Sequence, residues 1–318
     1  MASLPFKDSN SAEYDHKAVM DTIYDPKNKE LFEAMVVRQA KILQKTLSSV
    51  LSASSIRKSE MDYPSCKDYH DDEYDPMAIM YTYNDPENKE FVEALVIRPT
   101  QMLRKAFSTG LLKGGKMIDL VNGPNLAHLF VFADYVKEII ILDSSDASIS
   151  EIKKWLKNDQ NAVDWSHAAK HSCEQKGGRN TWEEEEKKLR KAVTQVLKCD
   201  FSKDKLLEPM VLDPVNCVFS AFYLESVSKD RESYISNLKK VRALLNVGGY
   251  LVMFTPINMT FYKLHQHKFF VLSLDSNFVN KAITEAGFSI VTSELYPSGI
   301  KSHLCDQSHI NFVVAVKK

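Results

Sequence analysis

Along this chain, short apolar runs alternate with stretches whose apolar residues recur every three or four positions. Residues 116–120, 138–142, 215–222 and 250–254 are compact apolar segments that read as buried strands. Residues 193–197 lead into Lys198-Cys199-Asp200-Phe201, a further short strand with an acid at its end. Between them lie helical patterns. Residues 147–157 carry Ile149, Ile152, Trp155 and Leu156 on one side, and residues 234–245 carry Ile235, Leu238, Val241 and Leu245. Residues 182–190 place Glu ahead of Lys and Arg at helical spacing, and Phe278 to Ala286 stops at Gly287. Residues 158–180 are polar and irregular. Two strands, 288–291 and 310–316, close the chain with no helix between them and predict an antiparallel edge. Strands alternating with helices predict an α/β protein with a mostly parallel sheet covered on both faces.

Ahead of this region the pattern repeats. Glu13-Tyr14-Asp15, Asp25-Pro26, Asn28-Lys29-Glu30, Glu33-Ala34 and Arg38 recur sixty positions later as Glu73-Tyr74-Asp75, Asp85-Pro86, Asn88-Lys89-Glu90, Glu93-Ala94 and Arg98. About half the positions agree over roughly forty residues, too few units for a solenoid, so a local duplication is the simpler account. Each copy reads as an Asp-Pro turn followed by an amphipathic helix, and Pro99, in place of Gln39, predicts a kink or break in the second. The expected organisation is an extra N-terminal helical segment at 1–51 (repeating 73–110), a Ser- and Asp-rich linker at 52–72, and one domain at 73–318 with an N-terminal lid.

Composition narrows the partners. The chain has 318 residues and a formal net charge of −1, so nucleic acid or an anionic membrane is not an expected partner. Five scattered cysteines have no metal-ligand spacing and suggest no disulfide framework. No signal peptide or spanning segment is evident, so a cytoplasmic protein, acting as a monomer on a small molecule and without a metal, is expected.

The chemistry centres on Leu120-Val121-Asn122-Gly123-Pro124. Strand, tight turn, helix, second strand and then Asp143 is the layout of a nucleotide-binding half-fold, in which the turn faces the ligand and the acid holds ribose hydroxyls. Pro124 fits the first turn of the following helix. Val121 stands where a glycine is expected, and a β-branched residue forced to positive φ there would cost about 1–3 kcal/mol.

Met117-Ile118-Asp119-Leu120-Val121-Asn122-Gly123-Pro124, Trp155-Leu156-Lys157, Asp164-Trp165-Ser166 and Val196-Leu197-Lys198-Cys199-Asp200 together carry a resemblance. Residues 73–318 resemble the nicotinamide/phenylethanolamine/indolethylamine N-methyltransferase family of S-adenosylmethionine enzymes. The resemblance implies a class I methyltransferase fold, a Rossmann-like seven-stranded sheet with one antiparallel strand. It implies S-adenosyl-L-methionine as cofactor, and methyl transfer to an amine or pyridine-like nitrogen by in-line displacement. By position, Asp143 would bind the ribose, and Asp200 and Phe201 would flank the adenine. Val121, Asn122 and Gly123 would face the methionine part, Ser148 would stand beside the ribose, and Ala221 would approach the cofactor. Tyr262 and Thr255 would lie at the acceptor. No catalytic base is assigned, because a neutral nucleophile need not lose a proton first; His265 and His267 read as surface residues near that pocket.

The departures from the family pattern cluster at the site. They are Val121 for a glycine, Ser148 for an asparagine, Ile79 and Asn84 for two lid tyrosines, Thr255 for an acid and Val271 for a serine. Loss of the polar partners disfavours nicotinamide itself as acceptor. The leading expectation is an active small-molecule N-methyltransferase. The alternative is a catalytically inactive relative with a binding or regulatory role.

Overall fold

The structure is a computed structural model that describes residues 88–318 except 179, together with Cys66, Asp75, Met77, Ala78 and Thr82. All of these lie in one compact unit, Pro64–Lys318. The first repeat copy, the expected linker apart from Cys66, and the lid positions Ile79 and Asn84 lie outside the described residues.

Seven strands form one sheet: β1 (Lys116–Leu120), β2 (Glu138–Asp143), β3 (Val193–Lys198), β4 (Val215–Ala221), β5 (Leu245–Ile257), β8 (Phe288–Pro297) and β9 (His309–Lys317). Their order is β3-β2-β1-β4-β5-β9-β8. All pair in parallel except β9, which runs antiparallel to both β5 and β8. This is the seven-stranded arrangement with one antiparallel strand that the resemblance implied. The last two strands form the expected antiparallel edge. The reversed strand β9 is inserted beside β5, and β8 forms the edge. The burial pattern explains it: residues 310–315 are buried, whereas Val291 and Leu295 on β8 are about half exposed.

Register brings the carboxyl ends of the central strands level. Leu120 pairs with Leu142 on one side and Ser220 on the other, Asp143 pairs with Lys198, and Ala221 pairs with Phe254. In an open α/β sheet the crevice outside these ends is where ligands bind. Apolar residues from both faces form the core, Ile118, Leu120, Ile140 and Leu142 on one side and Met117, Ile139, Ile141 and Phe219 on the other. This is the alternation of a strand buried on both faces.

Several local expectations change. The helix expected from Pro124 begins only at Leu129 and is one turn long, Leu129–Phe132. The irregular stretch contains a helix, Ser166–Gln175, whose buried face is Ala168, Ala169, Ser172 and Cys173. Small residues bury this face without an apolar periodicity strong enough to read. Past β5, Phe261–Leu264 and His267–Phe270 form a hairpin (β6 and β7), with His265 at its turn at φ +52.

Pro99 does not break its helix. A turn of π-helix, Glu93–Ile97, joins Lys89–Val92 to Arg98–Ser108, and Pro99 sits in the first turn of the latter. Proline has no N–H for the carbonyl four residues back, that of Leu95. His128 supplies the missing donor: its Nε2 lies 2.7 Å from the Leu95 oxygen. The N-terminal helix is thereby tied to the segment that follows the β1 turn.

Candidate active site

A cleft lies outside the carboxyl ends of β1, β4 and β5. Its space, counted out into open solvent, is about 830 Å³. Asp119 to Asn122 and His128 line one side, and Phe219, Ala221, Phe222, Glu225 and Ser226 line the β4 side. Pro256, Met259, Tyr262 and Val271 close the β5 side, Cys305 and Gln307 come from the loop before β9, and Phe91 and Leu95 cover it from the N-terminal helix.

The turn is less strained than Val121 suggested. Val121 is not among the residues at positive φ; Gly123, at +72, takes that conformation. The Val121 N–H donates to the Leu142 carbonyl at 3.2 Å, continuing the parallel ladder one residue past β1. The cost attached to Val121 at positive φ therefore does not arise. Its isopropyl group forms buried cleft wall. Val121→Gly should cost about 2 kcal/mol in chemical denaturation, from lost apolar burial and added backbone freedom. An unchanged midpoint would show that the side chain packs on nothing. Asn122 Nδ2 donates to the Phe222 carbonyl at 2.6 Å, so the turn is fastened to the end of β4.

The other expected site residues divide into two groups. Ala221 and Tyr262 line the cleft with Val121 and Asn122. Asp143 ends β2, Ser148 lies in the first turn of the helix that follows, Asp200 and Phe201 come just after β3, and none of them lines it. Asp143 is fully buried, and its Oδ1 accepts the Ser145 N–H at 2.8 Å. Ser148 sits in the first turn of the helix Asp146–Leu156, its N–H bonded to Ser145 Oγ and its own Oγ buried without a hydrogen-bond partner. Asp200 Oδ1 accepts from the Ser202 N–H and hydroxyl at 2.8 and 2.6 Å.

Thr255 corrects an expectation. It is fully buried and does not line the cleft. Its neighbour Pro256 lines the cleft. His265 is exposed at the hairpin turn, 3.0 Å from Asp75 Oδ2.

Two acids shape the electrostatics. Glu225, 1 % exposed, stands in the cleft wall four residues past β4, and its Oε1 has no hydrogen-bond partner. Loss of hydration raises its carboxyl to about 8. Asp119 is also buried there and raised well above its ordinary value, first by burial and then by the charge of Asp143. Burial lowers His128 to about 4, against the opposing effect of the Leu95 carbonyl, so the imidazole is neutral. No Lys or Arg is among the described lining residues. The cleft therefore favours a cationic or proton-donating ligand. Glu225 carried no signal in the apolar pattern. The available hint was its place just beyond the carboxyl end of a central strand.

A family model described as the NNMT/PNMT/TEMT family matches residues 64–318. The chain belongs to that family. It is 31 % identical over 256 residues to the indolethylamine N-methyltransferase of Mus musculus, covering 80 % of this chain and 97 % of that protein. It is 31 % identical over 252 residues to the nicotinamide N-methyltransferase of Homo sapiens, covering 79 % and 96 %. To human phenylethanolamine N-methyltransferase it is 25 % identical over 251 residues, covering 77 % and 89 %. Among solved structures, the glycopeptide N-methyltransferase MtfA with S-adenosyl-L-methionine is 14 % identical, covers 69 % of this chain and 87 % of that one, and has a TM-score of 0.44. S-adenosyl-L-methionine is the cofactor of the family. Here the donor set suits such a group, with buried acids at the ends of β1 and β2, another acid just past β3, and an unsatisfied Ser148 hydroxyl nearby. Among the described residues no helix is long and apolar enough to cross a membrane.

Proposed function

We propose that this chain is an S-adenosylmethionine-dependent N-methyltransferase whose acceptor is a small amine or pyridine-like nitrogen received against Glu225. One observation carries the acceptor: a buried carboxyl with an unsatisfied oxygen at the wall of a cleft whose described lining holds no Lys or Arg. An unpaired buried carboxyl is costly unless a ligand meets it, and an amine N–H is the matching donor.

The bound cofactor would supply an electrophilic methyl group on its sulfonium. Asp143 would hold its ribose, with Ser148 beside it, and Asp200 and Phe201 would flank its adenine. Val121, Asn122 and Gly123 would bound its amino-acid part, and Ala221 would leave room between the two halves. Asp119, on the same wall, is placed to face a cation there. Glu225 does the acceptor's proton work. Most alkylamines arrive protonated, and an ammonium has no lone pair to give. Above about pH 8, where its carboxyl is ionised, Glu225 would take that proton and leave the nitrogen neutral, still hydrogen-bonded and oriented. A pyridine-like nitrogen would instead accept a hydrogen bond from the protonated acid. Phe91, Leu95, Met259, Tyr262 and Val271 are apolar or aromatic walls that exclude water and limit the poses available, which favours in-line attack. Val271 offers a carboxamide no polar partner where the family has a serine. The first repeat copy lies outside the matched span, and we regard it as an accessory segment.

Titration calorimetry with S-adenosylhomocysteine tests the cofactor assignment. Asp143→Ala should weaken binding at least tenfold, by loss of the ribose bonds to a charged acceptor. A variant that binds as tightly as the parent overturns the ribose assignment.

A further inference from the structure

We infer that Tyr223 plugs the nucleoside end of the cleft and must withdraw before an adenosine-bearing cofactor can bind. The inference rests on the cofactor reading above and adds a gate to it. The cleft reaches Asp119 to Asn122 at the end of β1 and Ala221 at the end of β4, and stops there. Asp143, Ser144, Cys199 and Phe201 lie beyond it and are all buried. Against Ser144, Cys199 and Phe201 stands a tyrosine. Tyr223 leaves the chain two residues after β4 and is itself fully buried. Its hydroxyl shares a hydrogen bond with Ser144 Oγ at 3.0 Å and lies 3.8 Å from Cys199 Sγ. Its ring meets Phe201 edge-on, with centroids 5.7 Å apart.

Ser144 directly follows β2 and Cys199 directly follows β3, while Tyr223 comes from β4. The strand order is β3-β2-β1-β4, so the side chain spans the carboxyl end of β1 to reach them. That is the crevice in which open α/β sheets take their nucleotides. On this proposal the phenol ring occupies the volume between the acid offered to the ribose and the residues offered to the adenine.

The plug has a hinge and a latch. Phe222, just before it, adopts φ +56, a left-handed conformation that a bulky residue holds only when its surroundings impose it. Its N–H donates to the Phe254 carbonyl at 2.9 Å, and its carbonyl accepts from Asn122 Nδ2 at 2.6 Å. Asn122 belongs to the turn assigned to the cofactor's amino-acid part. A ligand that engages the Asn122 amide competes for the bond that fixes Phe222, so filling one end of the cleft loosens the plug at the other. The parent then binds more weakly than its donor set permits, because only the withdrawn fraction is competent.

The test is S-adenosylhomocysteine affinity, measured by calorimetry on the full chain for the parent, Tyr223→Phe and Tyr223→Ala. Tyr223→Phe keeps the ring and its packing but loses the bond to Ser144, and should bind about fivefold tighter, the equivalent of roughly 1 kcal/mol. Tyr223→Ala should bind at least tenfold tighter. If the alanine variant does not fold, the phenylalanine variant decides alone. Equal or weaker affinity in the folded variants, with a parent that binds, overturns the plug and leaves the cofactor reading standing. No binding by any of the three at millimolar ligand overturns both.

Discussion

Glu225→Gln is expected to make the protein more stable at pH 8 and to lose its methyl acceptor. The sign follows from the raised carboxyl. In the unfolded chain Glu225 ionises near 4.5, whereas in the fold it keeps its proton up to about 8. The stability it contributes is fully present below 4.5 and is lost as pH rises through 8. By pH 8 the difference amounts to about 4 kcal/mol. A neutral amide escapes it, but its own unmet hydrogen bonds return about 1–3 kcal/mol. A net gain of about 2 kcal/mol at pH 8, turning into a net loss of about 2 kcal/mol near pH 4, is the expected result in urea denaturation. Binding moves the other way: the amide cannot take the ammonium proton, and amine methylation should fall by two orders of magnitude or more. A variant that is destabilised at pH 8, or that methylates amines normally, would show that Glu225 is only a wall.

His128→Ala should be the most damaging single change near the cleft outside the sheet. It removes the donor that satisfies the Leu95 carbonyl, which Pro99 cannot serve, and it opens a hole between Phe219 and Phe254. An orphaned buried carbonyl and a lost ring together cost about 3–5 kcal/mol. The same residue makes the parent acid-labile. Its folded pKa, about 4, lies below the unfolded 6.5, so its neutral form stabilises the fold above 6.5 and that stability is lost as pH falls to about 4. The loss is about 3 kcal/mol. Between pH 4.5 and 6.5 His128 and Glu225 therefore act in opposite directions and largely cancel. Each variant should expose the other's slope: Glu225→Gln gains stability with pH in this window, and His128→Ala loses it. Flat profiles in both variants would remove these two groups from the acid response.

The apolar pattern was enough for the sheet because its central strands are buried on both faces. Runs such as Ile139-Ile140-Ile141-Leu142 need no partner to be recognised. The turn at 121–123 was legible for the same reason, since its place follows from the strand before it. What was not legible depends on contacts across the fold. The helix Ser166–Gln175 buries alanines, serine and cysteine, which leave no hydropathy signal. Thr255 was placed at the acceptor by position alone, and it lies fully buried outside the cleft lining. Glu225 and Tyr223 sit in a stretch that is polar by composition, Leu224-Glu225-Ser226-Val227-Ser228. Their importance arises only when β4 delivers them to the crevice. Pro99 carried a clear signal with an incomplete consequence, because the residue that repairs its missing bond is 29 positions away at His128.

The most direct measurement is transfer of labelled methyl from S-adenosylmethionine to a panel of primary amines, secondary amines and pyridines at pH 8, run in parallel for the parent and Glu225→Gln. The account predicts label on the nitrogen of at least one member with the parent, and loss of that transfer in the folded variant. Transfer that survives Glu225→Gln undiminished, or a parent that binds S-adenosylhomocysteine yet labels no nitrogen in the panel, would contradict it.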